Sequence, residues 1–508
     1  MDFSLDDLTT VLLIGAGVLV VCVAAVRLSV RSGLPTLLLY LAIGLGIEGA
    51  APFLRFDSPE VTQVLGYFAL ILILTEGGLT TSWPGIRRSV PPALALSTVG
   101  VLVSVTAMAA FAHYALRIDW TIAFLIGAVL SSTDAAAVFS VLRRVPLPRR
   151  ISGLLEAESG FNDAPVVLIV TAVSVAAANP QASHPWWLIA VLAIVELVGG
   201  AAIGIAIGWL GGRYMRRMAS NSSGLFSIGV IALCVLAYGV GSWAHTSGFM
   251  ATYVAALVLG NSASLPHQAA VRGFATALGW IAQIGLFVLL GLMAHPTGFL
   301  AQVGPALALG LALLLIARPL SVLVSLTPFR VPWRDQVFLS WAGLRGAVPI
   351  VLATVPMTQG VRGVTWLYDL VFVLVVIFTL VQGPTLPWLA RRLGLTEETH
   401  TLDIAVDSTP LEELDAELFE IEIGPRSRLH GVEVFELRLP KGANITLVVR
   451  DGQSFVPQPG TVLRTGDRLL AVSTAAARDV MERRIREVSD NGRLAGWSRR
   501  SAYNRPDA

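Results

Sequence analysis

Charge is scarce in this chain. Of 508 residues, 14% are Asp, Glu, Lys or Arg and 55% are hydrophobic. The net charge of +2 says nothing about partners, because in such a chain topology distributes the charges; no nucleic-acid partner is expected. Cysteine is scarcer still. Cys22 and Cys234 both fall in apolar segments, which excludes a disulfide framework and a zinc site. The seven histidines are scattered without metal-ligand spacing. No cofactor and no resident metal are expected, and no enzymatic activity. No basic residue precedes Val26, and Asp2, Asp6 and Asp7 open the chain, so a signal peptide is not expected at the N-terminus.

What is present instead is apolar sequence, in runs of roughly 20 residues, the length a bilayer core requires. The mean hydropathy is +0.71. The fold class is a polytopic α-helical membrane protein with a small cytosolic α+β domain. Thirteen spans are expected, near 9–26, 34–50, 61–79, 91–116, 119–142, 151–178, 186–212, 222–243, 247–262, 268–294, 300–326, 334–357 and 364–391. With the N-terminus outside, sixteen arginines fall in cytoplasmic connections, among them Arg87, Arg88, Arg149 and Arg150. Only Arg55, Arg117 and Arg362 fall outside. This bias orients the protein in its membrane with the C-terminal region in the cytosol.

The domain reading is a transmembrane domain over 1–394, an acidic linker over 395–414, a cytosolic domain over 415–489 and a disordered tail over 490–508. In the cytosolic part, strands are expected at Ala416–Ile423, Asn444–Val449, Ser454–Val456 and Arg468–Val472. Asp451-Gly452 reads as a hairpin turn, Leu429–Leu437 as a short helix and Ala475–Val488 as a second one.

The chain is organised around Glu156-Ala157-Glu158-Ser159-Gly160-Phe161-Asn162-Asp163, which heads an otherwise lipid-buried segment. A charged side chain at membrane depth costs at least a few kcal/mol, so it faces a cavity or a partner. Ser159 and Asp163 share one helix face, and Glu158 and Asn162 the adjoining one. The bland reading, a solvated loop outside the membrane, fits Glu156 better than it fits Asn162 and Asp163.

Three further stretches belong with it. Leu74-Thr75-Glu76-Gly77-Gly78 places another carboxylate at depth. Ser131-Ser132-Thr133-Asp134 lies in mid-span of the fifth helix, and Gly343-Leu344-Arg345-Gly346-Ala347-Val348-Pro349 interrupts the twelfth. Interrupted segments at matching places in two halves point to a transporter's midplane site. Two inverted six-helix repeats are expected, one to six and eight to thirteen, with the seventh helix as spacer. Broken crossing helices bring bare ends into low dielectric, where a positive N-terminal end wants an anion and a negative C-terminal end a cation. Asp134 and Arg345 would neutralise these ends; the alternative is that Asp134 itself carries the transported charge.

Other signals are discounted. Gly44-Leu45-Gly46-Ile47-Glu48-Gly49 has the dinucleotide pattern but no strand before it. Gly200, Gly204, Gly208 and Gly212 form a small-residue stripe, suited either to core packing or to a dimer face.

The motifs around Asp134, Asp163 and Arg345 together resemble the signatures of the bacterial monovalent cation:proton antiporter-1 family. The first of them, and a cytosolic domain resembling TrkA-C regulator modules, point to its potassium/proton subgroup. The resemblance spans nearly the whole chain. It implies a homodimer working by alternating access, with Asp163 as the ion-binding carboxylate and Asn162, Ser159, Thr133 and Glu76 around it. It also implies a pair between Glu158 and Arg318. The chain departs from the pattern at Ala135, where many members have proline, and at Phe161, where small residues are common. Cytosolic modules of this kind often bind nucleotides, although no Gly-rich phosphate cradle is visible here.

A carboxylate in a partly wet site can hold a proton or a cation but not both, and opening to one side at a time turns that competition into antiport. Asp163, the Ser159 hydroxyl and backbone carbonyls at the Thr133 break would offer oxygen ligands to a hard monovalent ion. Asn162 is neutral, so one proton for one cation is the expected stoichiometry. The expectation is therefore an electroneutral antiporter exporting K+ against H+ and serving pH homeostasis, with Na+/H+ exchange on the same fold as the alternative. A ligand-gated cation channel would need a pore loop with a carbonyl filter, and a membrane sensor would not need carboxylates at depth.

Overall fold

A bilayer core offers no water to a bare N–H or C=O, so each apolar run closes its backbone bonds within itself as a helix. A computed structural model describes residues 5–32, 35–50, 58–134, 147–179, 186–217, 222–262, 265–395, 406–411, 416–424, 427–474 and 477–492. The chain divides into two units, Met1–Thr396 and Glu397–Ala508. Ala135–Phe139, the rest of the first signature, lies outside the described residues, as does the tail beyond Gly492.

In the first unit, nine helices among the described residues are long and apolar enough to cross a membrane. Four shorter apolar ones accompany them: Thr36–Glu48, Trp120–Ser131, Gly248–Gly260 and Ala347–Thr358. Two helices are interrupted. Trp120–Ser131 stops where Ser132 turns extended, at φ −65° and ψ 138°. Trp333–Trp341 is separated from Ala347–Leu352 by the stretch around Gly343 and Gly346. Elsewhere the ladder loosens without breaking. A π-helical turn at Leu313–Ala317 runs into Arg318, and Pro319, which has no N–H to donate, follows at once.

The glycine stripe on the Trp186–Arg217 helix is used for packing within the chain. A Cβ on Gly200 would meet the Ser247 carbonyl, one on Gly204 the Ala251 carbonyl, and one on Gly208 the Val258 side chain and the Ala255 carbonyl. The two backbones therefore approach closely only because these side chains are absent. Val191, Ile194, Val198 and Trp209 lie on exposed parts of the same helix.

The second unit is a five-stranded antiparallel sheet, ordered β1-β2-β5-β3-β4. Its strands are β1 Val406–Leu411, β2 Ala416–Glu422, β3 Ala443–Arg450, β4 Gln453–Phe455 and β5 Arg468–Thr474. Alternate residues Phe419, Ile421, Leu469 and Ala471 point into one core, which Met481, Ile485 and Val488 of helix Arg478–Asn491 also enter. Asp451 and Gly452 both have positive φ, 52° and 79°, as a tight I′ hairpin turn requires. Strand β1 falls inside the stretch read from composition as linker. Leu429–Leu437 is not a helix: only Val434–Leu437 forms a 3-10 turn. The reason is that Gly431, Val432 and Val434 spend their backbone bonds on Thr461 and Leu463 across a β-bridge at Glu433 and Val462. Asp467 is buried and accepts from Arg450 Nε and Nη2, both at 2.7 Å, and from the Arg464 N–H. That hydrogen bonding raises the pKa of Arg450.

Candidate functional site

The site is assembled from one continuous helix and two broken ones. The continuous helix, Arg149–Ala178, carries Glu158, Ser159, Asn162 and Asp163, all buried. Pro165 within it has no N–H, so the Phe161 carbonyl one turn earlier lacks its usual backbone donor beside Asn162 and Asp163.

The two breaks are stitched to each other. The Asp134 N–H donates to the Leu344 carbonyl at 3.1 Å, and Asp134 Oδ2 accepts from the Ala347 N–H at 2.8 Å. The Asp134 carboxylate thus meets the bare N-terminal end of Ala347–Leu352. In return, Arg345 Nη1 donates to the Ser131 carbonyl at 2.9 Å and to the Ser132 carbonyl, covering the C-terminal end of Trp120–Ser131. Each broken helix end therefore meets a charge of the sign its dipole favours. Gly346 makes the junction possible, because a Cβ there would overlap the Asp134 carboxylate. The carbonyls left bare by the second break are taken up by the Thr365–Arg392 helix: Thr379 donates to the Arg345 carbonyl and Gln382 to the Trp341 carbonyl, each at 3.0 Å.

Arg318 grips Glu158 with both terminal nitrogens, at 2.6 and 2.8 Å. The two side chains are 6% and 3% exposed, so this pair is desolvated. A Cβ on Gly343 would lie 2.7 Å from Arg318 Nε, so this glycine leaves room for the guanidinium.

Among the described residues, Asp163 takes part in no such pair. The Ser132 hydroxyl lies 3.5 Å from its Oδ1, at the outer limit of a hydrogen bond. A cavity of about 60 Å3 is bounded by Asp163, Asp134, Ser159 and Glu156 on one side and by Leu74 and Tyr253 on the other. Asn162 and Thr133 do not line it. Asn162 Nδ2 donates to Thr133 Oγ1 at 2.9 Å, tying the continuous helix to the first break, while Asn162 Oδ1 is buried without a partner among the described residues. The described residues hold no group of three His, Cys, Asp or Glu suited to a resident metal ion.

Glu76, grouped with Asp163 by family resemblance, is not brought to the cavity. It is half-buried, and its carboxylate faces Gly279 of the Gln268–Met293 helix, where a Cβ would overlap it. Phe161 also turns aside, meeting the Tyr253 ring edge-on at 5.5 Å. Tyr253 comes this close because Gly160 has no side chain. Sequence reasoning missed Tyr253 and the place of Glu156, and it named Ser132 only as part of the break. The only available signal was for Glu156: its spacing of seven from Asp163, two helical turns, puts both on one face.

Comparison with known proteins adds the family. Residues 17–392 match the model of the transmembrane sodium/hydrogen exchanger, and residues 418–486 match the TrkA-C domain. The chain is 33% identical over 481 residues to the K(+)/H(+) antiporter NhaP of Alkalimonas amylolytica, covering 92% of this chain and 81% of that one. It is 33% identical over 470 residues to the K(+)/H(+) antiporter NhaP2 of Shewanella oneidensis, covering 91% and 81%. Against the Na(+)/H(+) antiporter NhaS2 of a Synechocystis strain the identity is 26% over 350 residues, covering 67% and 63%. In fold it resembles the sodium proton antiporter MjNhaP1 of Methanocaldococcus jannaschii, with a TM-score of 0.66 at 21% identity, covering 77% of this chain and all of that one.

Proposed function

This chain belongs to the transmembrane sodium/hydrogen exchanger family and carries a TrkA-C domain, and from that premise we propose that it exchanges K+ for H+ across the bacterial plasma membrane, with both ligands competing for Asp163. The observation that carries the reading is the contrast between the two neighbouring carboxylates. The Asp134 carboxylate accepts from the Ala347 N–H in the crossing, whereas Asp163 faces the cavity with the distant Ser132 hydroxyl as its only hydrogen-bond partner among the described residues. A carboxylate so placed can neutralise a proton or a cation in turn. Ser159 and Asp134 supply further oxygens on the cavity wall, and hard oxygen ligands suit an alkali cation. Na+ is the alternative substrate, and the relatives that match over most of the chain favour K+.

Among the described residues, nine long apolar helices and four shorter ones support the thirteen crossings proposed for the membrane unit. In the orientation favoured by the arginines, the cavity runs from Asp163 toward Thr81 and Glu156, the ends of their helices nearest Arg87, Arg88, Arg149 and Arg150. Toward the other face the two sides are in contact. Val351 packs where Gly66 leaves room, and the Thr358 hydroxyl donates to Gln63 Oε1 at 2.7 Å. These contacts support the reading of a site open toward the cytosol and closed toward the outside, one of the two states that alternating access requires. A homodimer, and a cytosolic ligand on the TrkA-C unit, complete the proposal.

The test is proton movement in vesicles holding the purified protein, driven in turn by gradients of Li+, Na+, K+ and Rb+. Coupled proton flux largest with K+ fits the reading. Coupled flux with Na+ alone would reassign the substrate, and cation flux without protons would remove antiport.

A further inference from the structure

Glu156, Ser159, Gly160 and Asp163 follow one another at helical spacing on a single face of Arg149–Ala178, and all four line the cavity. Glu156 is half-buried and has no hydrogen-bond or ion-pair partner among the described residues. Other acids on this side of the unit are engaged: Glu158 by Arg318, Asp134 by the Ala347 N–H and Asp335 by Arg150. Among the described residues, the wall opposite Glu156 offers Leu74, Gly77, Thr81 and Tyr253, and no basic group. An unpartnered carboxylate in a membrane helix is unfavourable by at least a few kcal/mol, and such a residue marks an ion pathway. Seven residues at 1.5 Å each put it about 10 Å from Asp163 along the helix axis, within the same cavity.

We propose that Glu156 is a second cation-receiving carboxylate, at the inner end of the cavity, which gathers the monovalent cation from the cytosol and passes it along the Ser159 face to Asp163. This rests on the reading of Asp163 as the exchange site. A negative charge at the mouth of a low-dielectric cleft raises the local cation concentration, and salt screens that effect. Glu156 therefore governs how much cytosolic cation is needed, whereas Asp163 governs whether exchange occurs at all.

The experiment uses the full-length protein in everted membrane vesicles, whose outer surface is the cytosolic one, with K+ titrated at fixed pH. Glu156→Gln should raise the half-saturating K+ concentration about five-fold, while the rate at saturating K+ changes by less than about two-fold. Glu156→Asp should recover part of the loss, and a high concentration of a bulky, non-transported organic salt should narrow the gap between wild type and Glu156→Gln. An unchanged half-saturation in Glu156→Gln overturns the proposal, as does a fall in maximal rate alone, which marks a structural role. Should Glu156→Gln assemble poorly, Glu156→Asp decides by the same two readouts. Asp163→Asn, run beside them, separates the two claims: coupled flux surviving there defeats the exchange-site reading itself, whatever Glu156 does.

Discussion

The Arg318 guanidinium and the Glu158 carboxylate form a two-pronged pair, at 2.6 and 2.8 Å, one position along the helix from Ser159 of the cavity wall. Burying two charges is unfavourable, and losing one of them leaves the other without compensation, at a cost of about 3–5 kcal/mol. Glu158→Gln and Arg318→Ala should therefore each lower the melting temperature of the detergent-solubilised protein and reduce its yield. A stable Arg318→Ala protein that only shifts ion preference would place the pair in ion selection instead.

Gly346 sits against the Asp134 carboxylate with no room for a methyl group. Gly346→Ala should push Asp134 off the Ala347 N–H, leaving a buried donor unmet at about 1–3 kcal/mol. Exchange should fall at least ten-fold, because both broken ends lose their fixed geometry. The corresponding change at Gly46, where a Cβ meets nothing within 4 Å, should leave transport near wild type.

The outer contact makes a separate prediction. A side chain at Gly66 would press on Val351, 2.9 Å from the nearest methyl. Gly66→Leu should weaken the sealed outer face, and amide hydrogen exchange in Val355–Thr358 should speed up relative to wild type. Unchanged protection there would mean that this contact does not hold the face shut.

Truncation after Glu398 tests the TrkA-C unit. If the unit tunes the exchanger without touching the ion, the shortened protein keeps its cation preference and shows a displaced pH–activity profile. The same rate and profile as the full chain, in a normally assembled protein, would rule out regulation. A changed ion preference would make the unit part of the site.

Much of this arrangement is legible in the sequence because membrane burial makes polar residues conspicuous. Asp134 and Arg345 stand in apolar runs beside small or hydroxyl residues, and the dipole argument fixes which bare end each would meet. The Trp120–Ser131 and Ala347–Leu352 helices were locatable for the same reason. What the sequence did not disclose depends on partners far along the chain. Glu76 looks equivalent to Asp163 as a carboxylate at depth, yet its direction is decided by Gly279, some two hundred positions away, which gives it a place to lie. Tyr253 reads as one more aromatic in an apolar helix until Gly160 admits its ring. Leu429–Leu437 reads as a short helix in the sequence, and it is the pairing with Thr461–Leu463 that takes its backbone bonds.

The central claim is that one carboxylate, Asp163, is the place where proton and cation exclude each other. The most direct measurement is cation-driven proton flux through purified Asp163→Asn protein in vesicles, with assembly checked by size-exclusion chromatography. An amide can neither take up a proton in this range nor neutralise a cation, so the account predicts no coupled flux with any alkali cation from a protein that assembles normally. Proton flux coupled to K+ or Na+ in that variant would contradict it.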